Sequence, residues 1–182
     1  MRSKRGSRIA VLFISALALL VLTTFGVLAQ GGPPPADAPP GAVGFQGAVL
    51  AGIDTSVAPG YQLVLAESVF EPGAYVTSHV HPTAIVVCVQ SGALGFALQQ
   101  GSAIVTRTGE GGAEPTNEPL GVDEEIVLEP RDCVSFDHFA EPTAHTGWNA
   151  SDGQTVLVEA RLLKAGETFT TFIDEHGMPV AP

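Results

Sequence analysis

The feature that most constrains the fold is a succession of short β-branched runs, each followed by a turn dipeptide. From Gln46 onward, segments such as AIVVCVQ, SAIVTRT and QTVLVEARLL are separated by Pro-Gly, Ser-Gly, Gln-Gly and Asp-Gly. Runs of this kind are typical of strands, and these dipeptides mark turns. No long window has a helical period, apart from the N-terminal segment. The sequence therefore predicts one all-β domain over residues 46–166, a sandwich or a barrel.

The N-terminal segment, residues 1–29, has the features of a targeting sequence. Four basic residues precede an uncharged, apolar run from Ile9 to Ala29, which ends in Val27-Leu28-Ala29 before Gln30. A basic start, an apolar middle and a small-residue exit predict a cleaved secretory signal peptide. An uncleaved membrane anchor is the alternative, because the run approaches the length of a bilayer span. Both interpretations place the rest of the chain outside the cytoplasm, secreted or in the cell envelope.

Two segments flank the predicted barrel. Residues 30–45 read QGGPPPADAPPGAVGF, a composition that predicts a semi-extended linker with little to bury. Residues 167–182 follow the final strand-like run, and we expect them to form a short, loosely attached tail.

The charge distribution excludes one class of partner. Four of the eight Lys and Arg residues lie in the N-terminal segment together with none of the nineteen Asp and Glu residues, so the remainder has a formal charge of −15. An acidic domain without a basic patch repels nucleic acid and anionic lipid. We therefore expect no nucleic-acid partner, and contact with a membrane only through the N-terminal segment if that segment is uncleaved.

The two cysteines, Cys88 and Cys133, permit one disulfide in an oxidising compartment. Both lie in apolar, strand-like segments. Paired strands seldom meet the geometry of a disulfide, so the preferred interpretation is two buried thiols that act as small apolar side chains.

Two histidines lie close together at the start of an apolar run, in SHVHPTAIVV. In a strand, alternate side chains share a face, which groups Tyr75 and Thr77 with His79 and His81 and places Val76 on the other face. Two imidazoles one strand repeat apart can reach a single metal ion, and neutral imidazole is the commonest metal ligand.

The spacing around the histidines resembles the cupin superfamily. Gly73 stands six residues before His79, Gly92 follows the next strand, and a distant histidine, His145, precedes Asn149 by four residues. The resemblance extends from about Tyr61 to Leu163. It implies a double-stranded β-helix of the jelly-roll-like cupin type, in which His79, His81 and His145 converge on a divalent transition metal: Zn, Mn, Fe, Cu or Ni. It also implies a homodimer.

The chain departs from the family pattern at two places. Ile85 occupies the position at which the family has a glutamate, and the segment before His145 is longer and reads Ala140-Glu141-Pro142 where a Pro-x-Gly is expected. Three neutral imidazoles leave a divalent ion with both of its charges, which favours an anionic, chelating substrate. Glu141 and His138 are alternative replacements for the missing ligand, although loop side chains near a site are more often solvated.

Three further residues have a structural and a functional interpretation. Tyr75 shares the predicted face of the histidines but is more typical of packing at the end of a barrel, and Trp148 is more typical of a core or rim aromatic. Arg107 can anchor an anionic substrate if it faces inward, although surface exposure is the preferred interpretation.

Two functions are compatible with this pattern. The first is an exported, dioxygenase-like oxidoreductase with a three-histidine metal site, acting on a small chelating substrate in a dry pocket shaped by Ile85, Val87 and Val89. The second is a non-catalytic, small-ligand-binding module of the cell envelope with the same barrel. A barrel that retains the histidines without any function is the third interpretation. No covalent nucleophile motif is present, so the catalytic residues stay unassigned.

Overall fold

The computed structural model describes residues 31–109, 111 and 113–180, and eleven β-strands account for the regular structure of this part. Within these ranges, no helix has the length and apolar character that crossing a membrane requires. The predicted signal or anchor segment, residues 1–29, lies outside the described residues. The strands are β1 (Ala42–Asp54), β2 (Tyr61–Val80), β3 (Thr83–Ser91), β4 (Leu94–Gln100), β5 (Ala103–Arg107), β6 (Thr116–Leu120), β7 (Glu125–Leu128), β8 (Cys133–Asp137), β9 (Ala144–Asn149), β10 (Thr155–Lys164) and β11 (Thr171–Phe172).

The strands form one antiparallel sheet that curls around an apolar interior. Its order is β6-β5-β8-β3-β10-β2-β9-β4-β7, and β1 and β11 both pair with β2. The long strand β2 is shared between two halves of the sheet, because residues 61–70 pair with β10 and residues 75–80 pair with β9. The prediction of an all-β, double-stranded β-helix is confirmed.

Glycines allow the chain to turn at the two points that the sequence motif marked. Gly73 interrupts β2 between its two halves with a φ of 77°, and Gly92 joins β3 to β4 with a φ of 76°. Glycine adopts this left-handed backbone without steric cost. At Gly92 an added Cβ would also lie 2.7 Å from the Cα of Thr155. The backbone at both places therefore favours glycine.

The apolar core fills the space inside the curled sheet and comes from nearly every strand. Leu98, Leu128 and Val134 are completely buried in it, and Phe45, Ile126 and Phe172 pack against it from partly buried positions. Alternation in β3 and β10 places every second side chain inward, which is the pattern expected for a sheet with one buried face. The remaining buried residues of this core are Phe70, Ala74, Val76, Ile85, Val87, Val89, Leu94, Phe96, Ala103, Val105, Leu120, Phe136 and Leu157.

The segments predicted as linker and tail contribute to the barrel. Strand β1 begins at Ala42, four residues before the predicted start of the domain, and Gly41 exchanges hydrogen bonds with Thr77. After residue 166, β11 pairs with the histidine-bearing end of β2, and Ile173 is buried. The expectation of a loosely attached tail is therefore wrong for residues 169–173, because their aromatic and aliphatic side chains cover the open side of the interior.

The two cysteines form a disulfide, contrary to the preferred prediction of two free thiols. Cys88 on β3 and Cys133 on β8 stand directly opposite each other in the antiparallel register, with their Cα atoms 4.1 Å apart. In an antiparallel ladder, directly opposed residues of a non-hydrogen-bonded pair have the closest side chains. The sequence pattern predicted both strands but not the register between them. It is the register that places the two sulfur atoms within bonding distance.

Candidate metal centre

The three predicted histidines meet inside the curled sheet. His79 lies at the end of β2, His81 directly follows that strand, and His145 on β9 stands directly opposite His79 in the strand register. Their ring centroids are 4.7 Å apart for His79–His81, 4.2 Å for His79–His145 and 5.1 Å for His81–His145. One nitrogen of each ring lies within 4.8 Å of one nitrogen of each of the others. The strand pairing thus brings together residues that are 64 to 66 positions apart in the sequence.

A β-bulge determines which residues share the histidine face. Between Val76, which pairs with Gly147, and His79, which pairs with His145, β2 has one residue more than β9. A bulge of this kind breaks the alternation of side chains. Val76 therefore lines the same cavity as His79, whereas Thr77 hydrogen-bonds Gly41 outside it. The predicted face was correct for His79 and His81 and wrong for Tyr75, Val76 and Thr77.

Backbone carbonyls determine the tautomers of two of the rings. The Nδ1 atom of His79 lies 2.7 Å from the carbonyl oxygen of Thr77, and the Nδ1 atom of His81 lies 2.9 Å from that of Phe169. A carbonyl oxygen only accepts, so each Nδ1 carries the proton and each Nε2 keeps its lone pair. Metal-binding histidines are oriented in this way. Both rings are therefore prepared to bind a cation through Nε2.

Burial keeps all three imidazoles neutral. The histidines are 5 to 7% exposed, and removal from water lowers the pKa of His79 to about 4. The carbonyl of Thr77 opposes this shift, and the charge of Arg161 reinforces it. Burial likewise lowers the pKa values of His81 and His145 well below their ordinary range, with further lowering by the neighbouring histidines. Neutral imidazole is the form that binds a metal, so the donor set fits a divalent transition metal at neutral pH.

The histidines line a cavity of about 290 Å³ whose walls are mainly apolar. Strand β1 contributes Phe45, which packs edge-to-face on Phe70 with ring centroids 4.9 Å apart. Thr170 and Phe172 of the C-terminal segment cover the cavity from the other side. The complete lining is Ala42, Phe45, Phe70, Val76, His79, His81, Val87, Leu94, Phe96, Val134, His145, Gly147, Leu157, Glu159, Arg161, Thr170 and Phe172.

A buried ion pair in the same cavity was missed by the sequence analysis. Glu159 and Arg161 on β10 are 4% and 3% exposed, and the Nη2 atom of Arg161 contacts the Oε2 atom of Glu159. The guanidinium carbon also lies 3.1 Å from the centre of the Phe169 ring. A signal for this pair was present in QTVLVEARLL, because Glu159 and Arg161 fall on the same alternation as Leu157 and therefore on the inward face.

Ile85, at the position of the family glutamate, lies next to this ion pair. It is 3% exposed on β3 and stands opposite Arg161 in the register with β10. Of the three residues predicted to shape a dry pocket, Val87 lines the cavity, whereas Ile85 and Val89 pack in the core two positions to either side. That part of the prediction was right for one residue of three.

The alternative ligands from the loop before His145 lie apart from the three imidazoles. The Nδ1 atom of His138 accepts a hydrogen bond from the backbone of Thr143 at 3.0 Å, and exposed Glu141 accepts one from the hydroxyl of Ser102. Neither belongs to the group of side chains that can share one ion. The structure therefore does not support either of them as a replacement for the missing glutamate.

The other residues singled out from the sequence have structural positions. Arg107 pairs with Asp132 at 2.7 Å, away from the cavity, in agreement with the preferred prediction of a surface role. Trp148 is buried, and Tyr75 stands opposite it in the register. Asn149 is completely buried, and its amide donates to the carbonyl oxygens of Phe70, Glu71 and Gly153. It therefore fastens β9 to the bend in β2 and does not face the histidines as a ligand.

Comparison with known proteins identifies the fold. No protein-family model matches the chain, and no curated protein sequence matches it. Among solved structures, the chain is similar to an L-ribose isomerase from Cellulomonas parahominis, with a TM-score of 0.52, 12% identity and coverage of 72% of this chain and 70% of that one. At this level of identity the similarity concerns the fold alone.

Two further structures are similar at lower TM-scores. A cupin 2 domain-containing protein from Halorhodospira halophila has a TM-score of 0.47 and 18% identity, over 74% of this chain and 73% of that one. KdgF from Halomonas sp. has a TM-score of 0.41 and 21% identity, over 65% of this chain and 80% of that one. Both similarities, like that to the isomerase, lie below 25% identity and concern the fold alone.

Proposed function

We propose that this chain is an exported metal-binding protein of cupin fold, in which His79, His81 and His145 hold one divalent transition metal. The observation that carries the proposal is the preparation of the imidazoles. All three are buried and neutral, and two of them are oriented by backbone carbonyls so that Nε2 is free to bind. The identity of the metal, Zn, Mn, Fe, Cu or Ni, is left to measurement because imidazole suits most of these ions.

The proposed activity is that of a dioxygenase-like oxidoreductase acting on a small chelating substrate. A divalent ion bound by neutral ligands supplies Lewis-acid or redox chemistry and keeps open positions for a substrate. The chain itself supplies a mainly apolar cavity that excludes water, with Phe172 and Phe96 beside the histidines. Such a cavity strengthens every electrostatic interaction inside it.

A non-catalytic binding module is the second candidate, and one observation favours it. Among the described residues that line the cavity, Glu159 is the single carboxylate, and it is already paired with Arg161. Since neutral, metal-bound histidines are poor proton acceptors, the cavity has no free side chain of suitable basicity to act as a general base. Capture of a ligand without turnover needs no such group.

The disulfide supports the proposed placement outside the cytoplasm. Disulfides persist in secreted and envelope proteins and are rare where thiols are kept reduced. The pairing of Cys88 with Cys133 is therefore consistent with the basic and apolar N-terminal segment.

Elemental analysis of the purified protein tests the metal site. We expect close to one equivalent of metal in the parent chain and almost none in a His79→Ala/His81→Ala double variant. The matched control is His176→Ala, since His176 is exposed and stands apart from the cluster. Equal metal content in the parent and the double variant would refute the site in both candidate functions.

Oxygen consumption then separates the two candidates. The protein is loaded in turn with Fe, Mn, Cu and Ni and supplied with a panel of thiols, diketones and catechols. Oxygen uptake that is lost in the double variant supports the oxidoreductase. Binding of panel compounds without oxygen uptake in any metal form supports the binding module.

A further inference from the structure

The cavity that contains the histidines also contains a guanidinium with unused hydrogen-bond donors. Arg161 is 3% exposed, and its contact with Glu159 occupies Nη2. Its Nε and Nη1 atoms are buried and have no hydrogen-bond partner among the described residues. An unsatisfied buried donor loses its hydration without gaining a partner, and the cost is larger on a charged group, so such groups usually have a partner. Two on one charged side chain indicate that a partner binds there.

The charges inside the cavity favour an anion as that partner. Glu159 offsets the charge of Arg161, and the three imidazoles are neutral, so a bound divalent ion would leave both of its positive charges uncompensated. Burial lowers the pKa of Arg161 to about 9, which still leaves the guanidinium protonated at neutral pH. In a site of low dielectric constant, an excess of two charges attracts an anionic ligand strongly.

The walls of the cavity limit what the anion can be attached to. Phe45, Phe70, Phe96 and Phe172 form much of its surface. Its volume of about 290 Å³ equals the liquid volume of about ten water molecules, at roughly 30 Å³ each. The cavity therefore suits one compact anionic group with a short apolar body, and it offers little to a sugar or a polyphosphate.

We propose that Arg161 binds the carboxylate of a small apolar monocarboxylic acid, which occupies the cavity beside the metal. The inference rests on the proposed function for the charge of the metal. It adds the chemical class of the ligand and the residue that selects it. Ile85 is directly opposite Arg161 on β3, so this neighbouring strand offers no charge to the guanidinium.

Glu159 competes with the ligand for the same guanidinium. The proposal therefore predicts that loss of the Glu159 charge strengthens ligand binding. Its carboxylate holds one amino group of Arg161 and offsets the charge. Replacing it with an uncharged amide weakens its hold on that amino group and raises the net positive charge of the cavity. A residue with a purely structural role would only destabilise the protein when changed in this way.

The test is isothermal titration calorimetry of the zinc-loaded protein with sodium butyrate and with its uncharged analogue butyramide. In the parent protein we expect butyrate to bind at least tenfold more tightly than butyramide. Arg161→Gln weakens butyrate binding by about tenfold and leaves only the charge of the metal to favour the anion, and Glu159→Gln strengthens butyrate binding by about tenfold. Arg131→Gln is the matched control, because Arg131 is exposed and does not line the cavity.

Ile85→Glu is an independent test of the proposal. It places a carboxylate of the protein on β3 opposite Arg161, where this carboxylate competes with the ligand for the guanidinium. We expect it to abolish butyrate binding while zinc content is retained. If Arg161→Gln does not fold because Glu159 is left buried and unpaired, the double variant Glu159→Gln/Arg161→Gln removes both charges and takes its place in the same titration.

The outcomes separate the two proposals. A parent protein that retains none of Zn, Mn, Fe, Cu or Ni on loading refutes the metal centre, and the metal-free protein then tests Arg161 alone through the same butyrate titration. A zinc-bound parent whose butyrate affinity is unchanged by Arg161→Gln, or lowered by Glu159→Gln, overturns the carboxylate site and leaves the metal centre standing.

Discussion

The disulfide allows a stability prediction whose size follows from its place in the chain. Cys88 and Cys133 are separated by 45 positions. In the chain-entropy model, a cross-link that closes a loop of this length removes entropy from the unfolded state worth about 4 kcal/mol at room temperature. Typical single domains have a free energy of unfolding of about 5–15 kcal/mol. Loss of the disulfide is therefore expected to remove a large share of the total stability.

The measurement compares the oxidised parent protein with a Cys88→Ala/Cys133→Ala variant by urea unfolding in the presence of a chelator. We expect the free energy of unfolding to fall by about 4 kcal/mol, and the denaturant slope to rise because the unfolded chain is no longer cross-linked. Dithiothreitol should lower the stability of the parent and leave the variant unchanged. In samples prepared without the chelator, the variant should match the metal content of the parent, since the disulfide joins β3 to β8 whereas the histidines lie on β9 and at the end of β2.

Two results would contradict this reasoning. The first is a difference below about 1 kcal/mol between the oxidised parent and the variant, which would mean that the unfolded chain is already confined without the cross-link. The second is detection of two free thiols by alkylation of the non-reduced protein, which would remove the disulfide itself. It would also remove the support that the disulfide gives to export.

Two further predictions concern protonation and a buried amide. Because the pKa of His79 falls from an unfolded value of 6.5 to about 4, its stabilising contribution is complete above pH 6.5 and is lost as the pH falls to 4. At 1.36 kcal/mol per unit this amounts to about 3 kcal/mol, so His79→Gln should flatten the pH dependence of urea unfolding of the metal-free protein in this range. His176→Gln, at an exposed position outside the cluster, is the control, and an equally steep curve for both variants would count against the assignment. Asn149→Ala removes an amide that makes three buried or partly buried hydrogen bonds to backbone carbonyls and should lower the free energy of unfolding by about 3 kcal/mol or more; a loss below 1 kcal/mol would mean that water replaces the amide.

Local patterns predicted much of the fold and the identity of the clustered side chains. Alternation and turn dipeptides identified the strands, and the spacing of His79, His81 and His145 identified residues that the structure brings together. These signals are short in range. They do not give which strands pair or the register of each pair. This is why the opposition of Cys88 and Cys133 was not predicted.

The departures have three physical causes. The bulge before His79 adds one residue that alternation cannot reveal, so Val76 was placed on the wrong face. The Glu159–Arg161 pair was visible as two charges on an apolar alternation, but charged residues near the end of a strand are normally interpreted as solvated. Residues 169–173 lack a strong strand pattern, and their role depends on the open side of the barrel that they cover.

The backbone carbonyl of Phe169 comes late in the chain, and this bears on when the proposed metal site is complete. This carbonyl accepts the Nδ1 proton of His81, and the ring of Phe169 lies against Arg161. Phe169 follows these two residues by 88 and 8 positions. When His79, His81 and His145 have been translated, the group that orients His81 has still not been made. If the proposed metal centre is correct, its donor set is complete only after the chain has extended past Phe169 and folded back.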